Sequence, residues 1–330
     1  MTKIDILYDE STKIELTVAL PVYNSKKIAW VCLEGLCNQI DIDFEWELII
    51  YEEYHDESCF PNILFDYVNR LKEVNCKKII FLTNNDKTPL ITKWLEIANN
   101  SSDSSIVYLL QPADCYSHKK RLRVTYDKIV KEGYDWYDQK TGNFYSLLSD
   151  RIITYDYNGI TNLCIATLTK VMRTLPNSTQ TSGIDGYTYK YVSSEIGSKF
   201  KRFLDQNIYD DGLDIHGLNN ISKQRETFFS TKPNIFKILN LTIDDLNIPS
   251  DIIEKLKSLR IKPKPIQTEN ILQPKIRVSK RKNEVVSPVS SNLTQFNLSK
   301  NNTNTFLLLK NNNNNNNNNK GPQSVGVIIR

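Results

Sequence analysis

LTVALPVYNSKKIAWVCLEGLCNQIDIDFEWELIIYEE, residues 16 to 53, decides the fold. Its opening eight residues are an apolar run broken by Pro21, the pattern of a buried strand that ends at its C-terminal edge. Asn24 and Ser25 then supply a helix N-cap, and residues 26–39 set Ile28, Val31, Cys32, Gly35 and Leu36 near one face at helical spacing. Trp46 to Tyr51 returns as an apolar strand. Together these pieces make a βαβ unit. Parallel strands joined by right-handed crossovers collect their ends, and with them a ligand site, on one edge of the sheet.

The same alternation continues outward. A helix is predicted over residues 63–74, a strand over 78–82, a helix over 89–98 and a strand over 105–110, which implies a mostly parallel α/β sheet with helices on both faces. Past Tyr134 the texture changes: residues 143–155 and 161–167 read as strands flanking a turn at 156–159, a hairpin or mixed-sheet extension. Residues 168–175 and 186–203 read as helices, and 235–259 as one or two closing helices.

Complexity collapses near Lys262 of the 330 residues. One domain is therefore expected over residues 1–261, followed by a low-complexity tail over 262–330. The tail carries KPKP, KRK and an unbroken Asn311 to Asn319 tract, a composition that buries too little to offset its ordering entropy. Such a tail is expected to be disordered, self-association through the asparagine run being the sharper alternative. No apolar run reaches the ~18 residues that a spanning helix needs. The opening MTKIDILYDESTK has no positively charged segment followed by an apolar stretch, so a cytoplasmic location is expected. The six cysteines lack the close paired spacing of a zinc site and read as buried free thiols. The formal charge of +4 is uneven, because eleven basic and two acidic residues lie in the tail and leave the body at about −5. A mildly acidic body argues against a nucleic-acid groove, whose affinity rests on clustered Lys and Arg.

ALPVYN at 19–24, EGLCNQ at 34–39 and FEWELIIYEE at 44–53 together resemble the opening of the family 2 glycosyltransferases. There a strand ends in P-x-Y-N, the first helix has a Leu-rich N-Q ending, and the second strand closes with acidic residues, in this order and at matching separation. The resemblance covers roughly residues 14–125 and extends to about 230. It implies the A-type glycosyltransferase fold (GT-A), a single α/β domain with a nucleotide at the strand edge.

What the resemblance implies for the site follows from the chemistry of a sugar-nucleotide donor, expected to be a UDP- or GDP-sugar. Pro21 and Tyr23 would wall the base pocket, Asn24 would add a polar contact, and Glu52 or Glu53 would accept hydrogen bonds from the base or ribose, where most members carry Asp. A diphosphate leaving group calls for a divalent cation, Mn2+ or Mg2+, held by a D-x-D-like motif after a buried strand. The stretch IVYLLQPADCYSHKKRL occupies that place. Asp114 falls where the metal-binding carboxylate sits, while Gln111, a candidate donor contact, and Ala113 replace acids usual in the family. His216, inside DDGLDIHGLNNIS, is the expected second contact to metal or diphosphate. His118, Lys119, Lys120 and Arg121 form a basic cluster near the supposed diphosphate and read as a solvated face. Asp185 in TSGIDGY is the expected general base, deprotonating an acceptor hydroxyl for single displacement with inversion; an ordinary Asp-Gly turn is the competing reading.

The expected activity is transfer of one sugar to a glycan or glycoprotein acceptor. The Q-x-x-R-W signature of the processive members is absent, since residues 222–226 read SKQRE, so a polymerising synthase is not expected. A non-catalytic sugar-nucleotide or glycan-binding module is the alternative from another class. Nucleotidyl transfer is weaker still, because no Gly-rich phosphate loop follows the first strand.

Overall fold

The computed structural model describes residues 2–23, 25, 27–53, 60–156, 158, 165–179, 183–216, 235–238 and 241–260. The tail from Lys262 lies outside them. Among the described residues, no helix is long and apolar enough to cross a membrane.

The chain is a mixed α/β protein built on two sheets. Its first half runs β1 (Lys3–Asp9), β2 (Ile14–Tyr23), α1 (Trp30–Cys37), β3 (Glu45–Glu53), α2 (Phe60–Phe65), α3 (Val68–Glu73), β4 (Cys76–Asn84), α4 (Leu90–Asn99) and β5 (Val107–Leu110). Next come β6 (Cys115–Tyr116), α5 (Arg121–Tyr126), β7 (Trp136–Gln139), β8 (Thr141–Ser146), β9 (Arg151–Asp156), β10 (Ala166–Leu168) and α6 (Thr169–Met172). The chain continues with α7 (Ile184–Ile196), β11 (Arg202–Asp205), β12 (Leu213–His216), β13 (Phe236–Ile238) and a closing helix, Ser250–Ser258.

The larger sheet has the order β1-β4-β3-β2-β5-β10-β7-β11. Its centre, β4-β3-β2-β5, is parallel throughout, as alternating apolar strands and helical crossovers require. β1 caps one side antiparallel to β4, and β10 turns the other side antiparallel to β5. The smaller sheet runs β13-β9-β8-β12-β6. Strand period 2 divides the core in two. Leu16, Val18, Leu20 and Val22 pack with α1, α3 and the smaller sheet, whereas Ala19, Ile49 and Tyr51 pack with Trp94 of α4, Met172 of α6 and Ile184 of α7.

Several expected elements are redrawn. Residues 143–155 are a hairpin of β8 and β9, not one strand: Asp150 takes φ 60°, its N–H donates to Ser146 O (2.8 Å), and Tyr145 donates to its carboxylate (2.5 Å). The apolar flanks hid a Ser-Asp turn signal. The turn therefore falls before Arg151, and 157 and 159–164 lie outside the described residues. The helix expected over 186–203 stops at Gly197 (φ 69°), a left-handed terminus that glycine adopts without a Cβ penalty, and β11 follows. The segment expected to hold only closing helices begins with β13.

Candidate functional site

The parallel strands β2, β3 and β4 end together. Cα pairing sets Tyr23 beside Glu53, Glu53 beside Asn84, and Val22 beside Glu52. β5 leaves the ladder earlier, opposite Ala19, where Gln111 N donates to Ala19 O (2.9 Å). Pro21 sits one pleat beyond that bond. Its missing N–H would point toward β5 just where β5 leaves the ladder, so proline there costs no sheet hydrogen bond.

The two acids of β3 face opposite layers. Glu53, with Tyr23 and Tyr51, faces α4 and accepts from Lys93 Nζ at 2.7 Å and from Thr88 N at 3.1 Å. Lys93 Nζ also lies 5.4 Å from the Tyr23 ring centroid. Burial pulls the Lys93 ammonium below its ordinary pKa, and Glu53 opposes that pull. Glu52, 2 % exposed, lies on the α1 side with Val22. Sequence reasoning missed Lys93. It sits in an unremarkable amphipathic helix, and only strand register reveals its carboxylate. Asn24 lies outside the described residues.

After β5 the chain crosses to the smaller sheet within a few residues. Gln111 is fully buried and committed inward: its Oε1 accepts from Ser117 Oγ (2.7 Å) and Arg121 Nη1 (2.9 Å), and its Nε2 donates to Cys115 O (2.9 Å). Asp114 is partly exposed, and its carbonyl accepts from Ile215 N at 2.9 Å. This bond lays the end of β12, where His216 stands, against Asp114; the His216 side chain is outside the described residues. The basic cluster is not one solvated face. Lys119 and Lys120 are exposed, but His118 and Arg121 are 2 % and 1 % exposed, because α5 starts only at Arg121 and turns both inward.

Helix α1 holds this turn in place. Gln39 Nε2 donates to His118 O (2.9 Å), Asn38 donates to Tyr116 Oη (2.8 Å), and Gly35 lies so close that a Cβ there would be 2.5 Å from Ser117 N. His118 stacks on Tyr209 at 3.6 Å between ring centroids and contacts Gln139 Nε2 at 3.2 Å. Burial, helped by the Arg121 charge, drives its pKa down to about 3, so it is neutral at ordinary pH. It lines a pocket in the smaller sheet with Gln139, Asn143, Tyr209 and Asp214, which none of Tyr23, Glu52, Gln111 and Asp114 lines.

Asp185 lies in the first turn of α7, after Gly183 at φ 63°, on the layer shared with α4. Burial pushes its carboxyl up to about 7, the range suited to a general base. Thr181 and Ser182 are outside the described residues. A divalent cation would find Asp114 and the neighbouring His216 position here. Mg2+-type ions often take only one or two protein carboxylates and complete their shell with phosphate oxygens and water, so the single Asp114 carboxylate at this turn is compatible with a phosphate-bridging ion. Among the described residues no group of three His, Cys, Asp or Glu side chains is poised for a metal.

No family model matches the chain, and no curated protein sequence matches it significantly. Solved structures similar to it include S. aureus TarS (12% identity, TM-score 0.47, 70% of this chain and 41% of that one). A TarS 1-349 structure in complex with UDP is similar at 14% identity, TM-score 0.46, over 70% of this chain and 68% of that one. The mannosyltransferase PcManGT from Pyrobaculum calidifontis, in complex with GDP-Man and Mn2+, is similar at 8% identity and TM-score 0.45, over 70% and 63%. The chain thus spans about two fifths of the longer TarS chain.

Proposed function

We propose that the chain is a nucleotide-sugar-dependent glycosyltransferase of the GT-A type that transfers one sugar to a hydroxyl of a glycan or glycoprotein acceptor with inversion. The observation that carries this reading is the C-terminal side of the parallel strands: Tyr23 beside Glu53, and the Gln111–Asp114 turn leaving the sheet farther back along β2, at Ala19. That side bears the residues of the motif resemblance, in the place where parallel α/β sheets bind ligands.

In this reading Pro21, Tyr23 and Asn24 wall the base, Glu53 rather than Glu52 takes its polar edge because it shares the Tyr23 face, and Gln111 shapes the turn that receives the diphosphate. Asp114 and His216 would hold Mn2+ or Mg2+, which when bound supplies charge to the departing diphosphate. Asp185 accepts the acceptor hydroxyl proton as that oxygen bonds to the anomeric carbon, and the bond from that carbon to the diphosphate breaks with its electron pair leaving on phosphate oxygen. The site of action proposed is the cytoplasm.

A panel of UDP- and GDP-sugars assayed for slow hydrolysis tests the donor side without knowing the acceptor. Release of nucleoside diphosphate from one donor is the expected result; a flat panel, with no diphosphate binding by calorimetry, would end the proposal. A second reading, a non-catalytic sugar-nucleotide or glycan-binding module, is favoured by one observation: Gln111 and Ala113 stand where acids are usual. Glycan binding that needs neither metal nor donor would select it.

A further inference from the structure

Arg121 opens α5 directly behind the turn that carries Asp114. It is 1 % exposed, so its guanidinium is effectively out of water. Nη1 donates to Gln111 Oε1 (2.9 Å) and to Ser117 Oγ (3.0 Å), Nη2 donates to Leu110 O, and the buried Nε has no hydrogen-bond partner among the described residues. Every acceptor it finds there is neutral, and it forms no ion pair with a described carboxylate. The other buried Lys or Arg among the described residues, Lys93, does have one, in Glu53.

A charge moved from water to a set of neutral dipoles loses much of its solvation, and a partner of opposite sign restores it. Arg121 therefore leaves a net positive field at the end of β5, where it already contributes to the depressed pKa of His118. Its hydrogen bonds all run to Leu110, Gln111 and Ser117, the residues that bracket Asp114. A purely structural clamp on this turn would need only donors, which a neutral side chain also provides. The full charge is what lacks an explanation within the fold.

We infer that Arg121 is the fixed positive charge of the donor site: its fork sets the 110–117 turn, and its uncompensated charge is offset by the diphosphate. The inference rests on the glycosyltransferase reading. It makes part of the diphosphate affinity independent of divalent metal, because the cation is built into the chain. It also gives Gln111 a reason. An acid at that position would pair with Arg121 and cancel the field, whereas the amide accepts from it and leaves the charge available.

The test is calorimetric titration in EDTA of uridine against UDP and guanosine against GDP, each pair into the same folded sample. The wild-type chain should bind one diphosphate at least about tenfold more tightly than its nucleoside, a preference that falls with added KCl. Arg121→Gln should lower that ratio by about tenfold and leave nucleoside affinity in place, Arg121→Lys should keep it within about threefold, and Lys119→Gln with Lys120→Gln should keep it too. A ratio unchanged in Arg121→Gln, or a wild-type ratio near one, overturns the inference and leaves the glycosyltransferase reading standing. Binding of neither nucleosides nor diphosphates overturns both. If Arg121→Gln does not fold, the wild-type ratio and its salt dependence, read with Arg121→Lys, decide.

Discussion

Lys93 Nζ and a Glu53 carboxylate oxygen are 2.7 Å apart, with side chains 5 % and 2 % exposed, and they fasten α4 to the end of β3 beneath Tyr23. Neutralising Glu53 leaves the Lys93 ammonium in the interior without its carboxylate, at a cost of about 3–5 kcal/mol. Lys93→Met and Glu53→Gln should each lower thermal stability sharply, and the double variant should lose clearly less than their sum. A double-mutant cycle by chemical denaturation measures this; additive losses would mean the pair is not coupled.

Asp185→Asn should abolish sugar transfer while donor binding survives, and wild-type rate should climb with pH through about 7 as the carboxyl ionises. The stability effect has the opposite sense. A carboxyl whose folded pKa lies above the unfolded value of about 3.9 favours folding below that value and forfeits the gain as pH rises through 7. Asp185→Asn should therefore be relatively more stable than wild type at pH 8 than at pH 4. Equal pH dependence of melting in the two proteins would refute the burial of that carboxyl.

How far the sequence reaches differs between the strands and the single side chains. The βαβ opening was legible because buried parallel strands are written as continuous apolar runs between helical periods. Lys93 and Arg121 were not legible, since a lone Lys in an amphipathic helix and an Arg in an HKKR run look solvated until the start of a helix turns them inward. The β8–β9 hairpin failed for a related reason: two apolar flanks outweighed a two-residue turn signal.

His118 should make the fold sensitive to acid. Its folded pKa of about 3 lies below the unfolded value of about 6.5, so the stability linked to its neutral form is complete above 6.5 and declines as pH falls toward 3. His118→Asn should flatten that decline, although losing the stack on Tyr209 lowers stability at neutral pH. Urea midpoints from pH 7 to pH 4 would show it, and parallel curves would count against it.

Gly35→Ala should destabilise by about 1–3 kcal/mol, as overpacking does, because the new methyl meets Ser117 backbone rather than a side chain able to swing away. Denaturant unfolding checks the size of the effect. A neutral substitution would mean that α1 and β6 have slack between them.

The stretch from Gln111 to Asp114 is tied at one end to Ala19 and at the other to Ile215, one tether in each sheet. The early βαβ region is therefore not self-sufficient at this corner: a chain cut before Leu213 would keep its strand edge yet lose the bond that holds Asp114 to the smaller sheet. Lesions in β12 would accordingly loosen the Gln111–Asp114 turn of the proposed donor site without altering any residue in it.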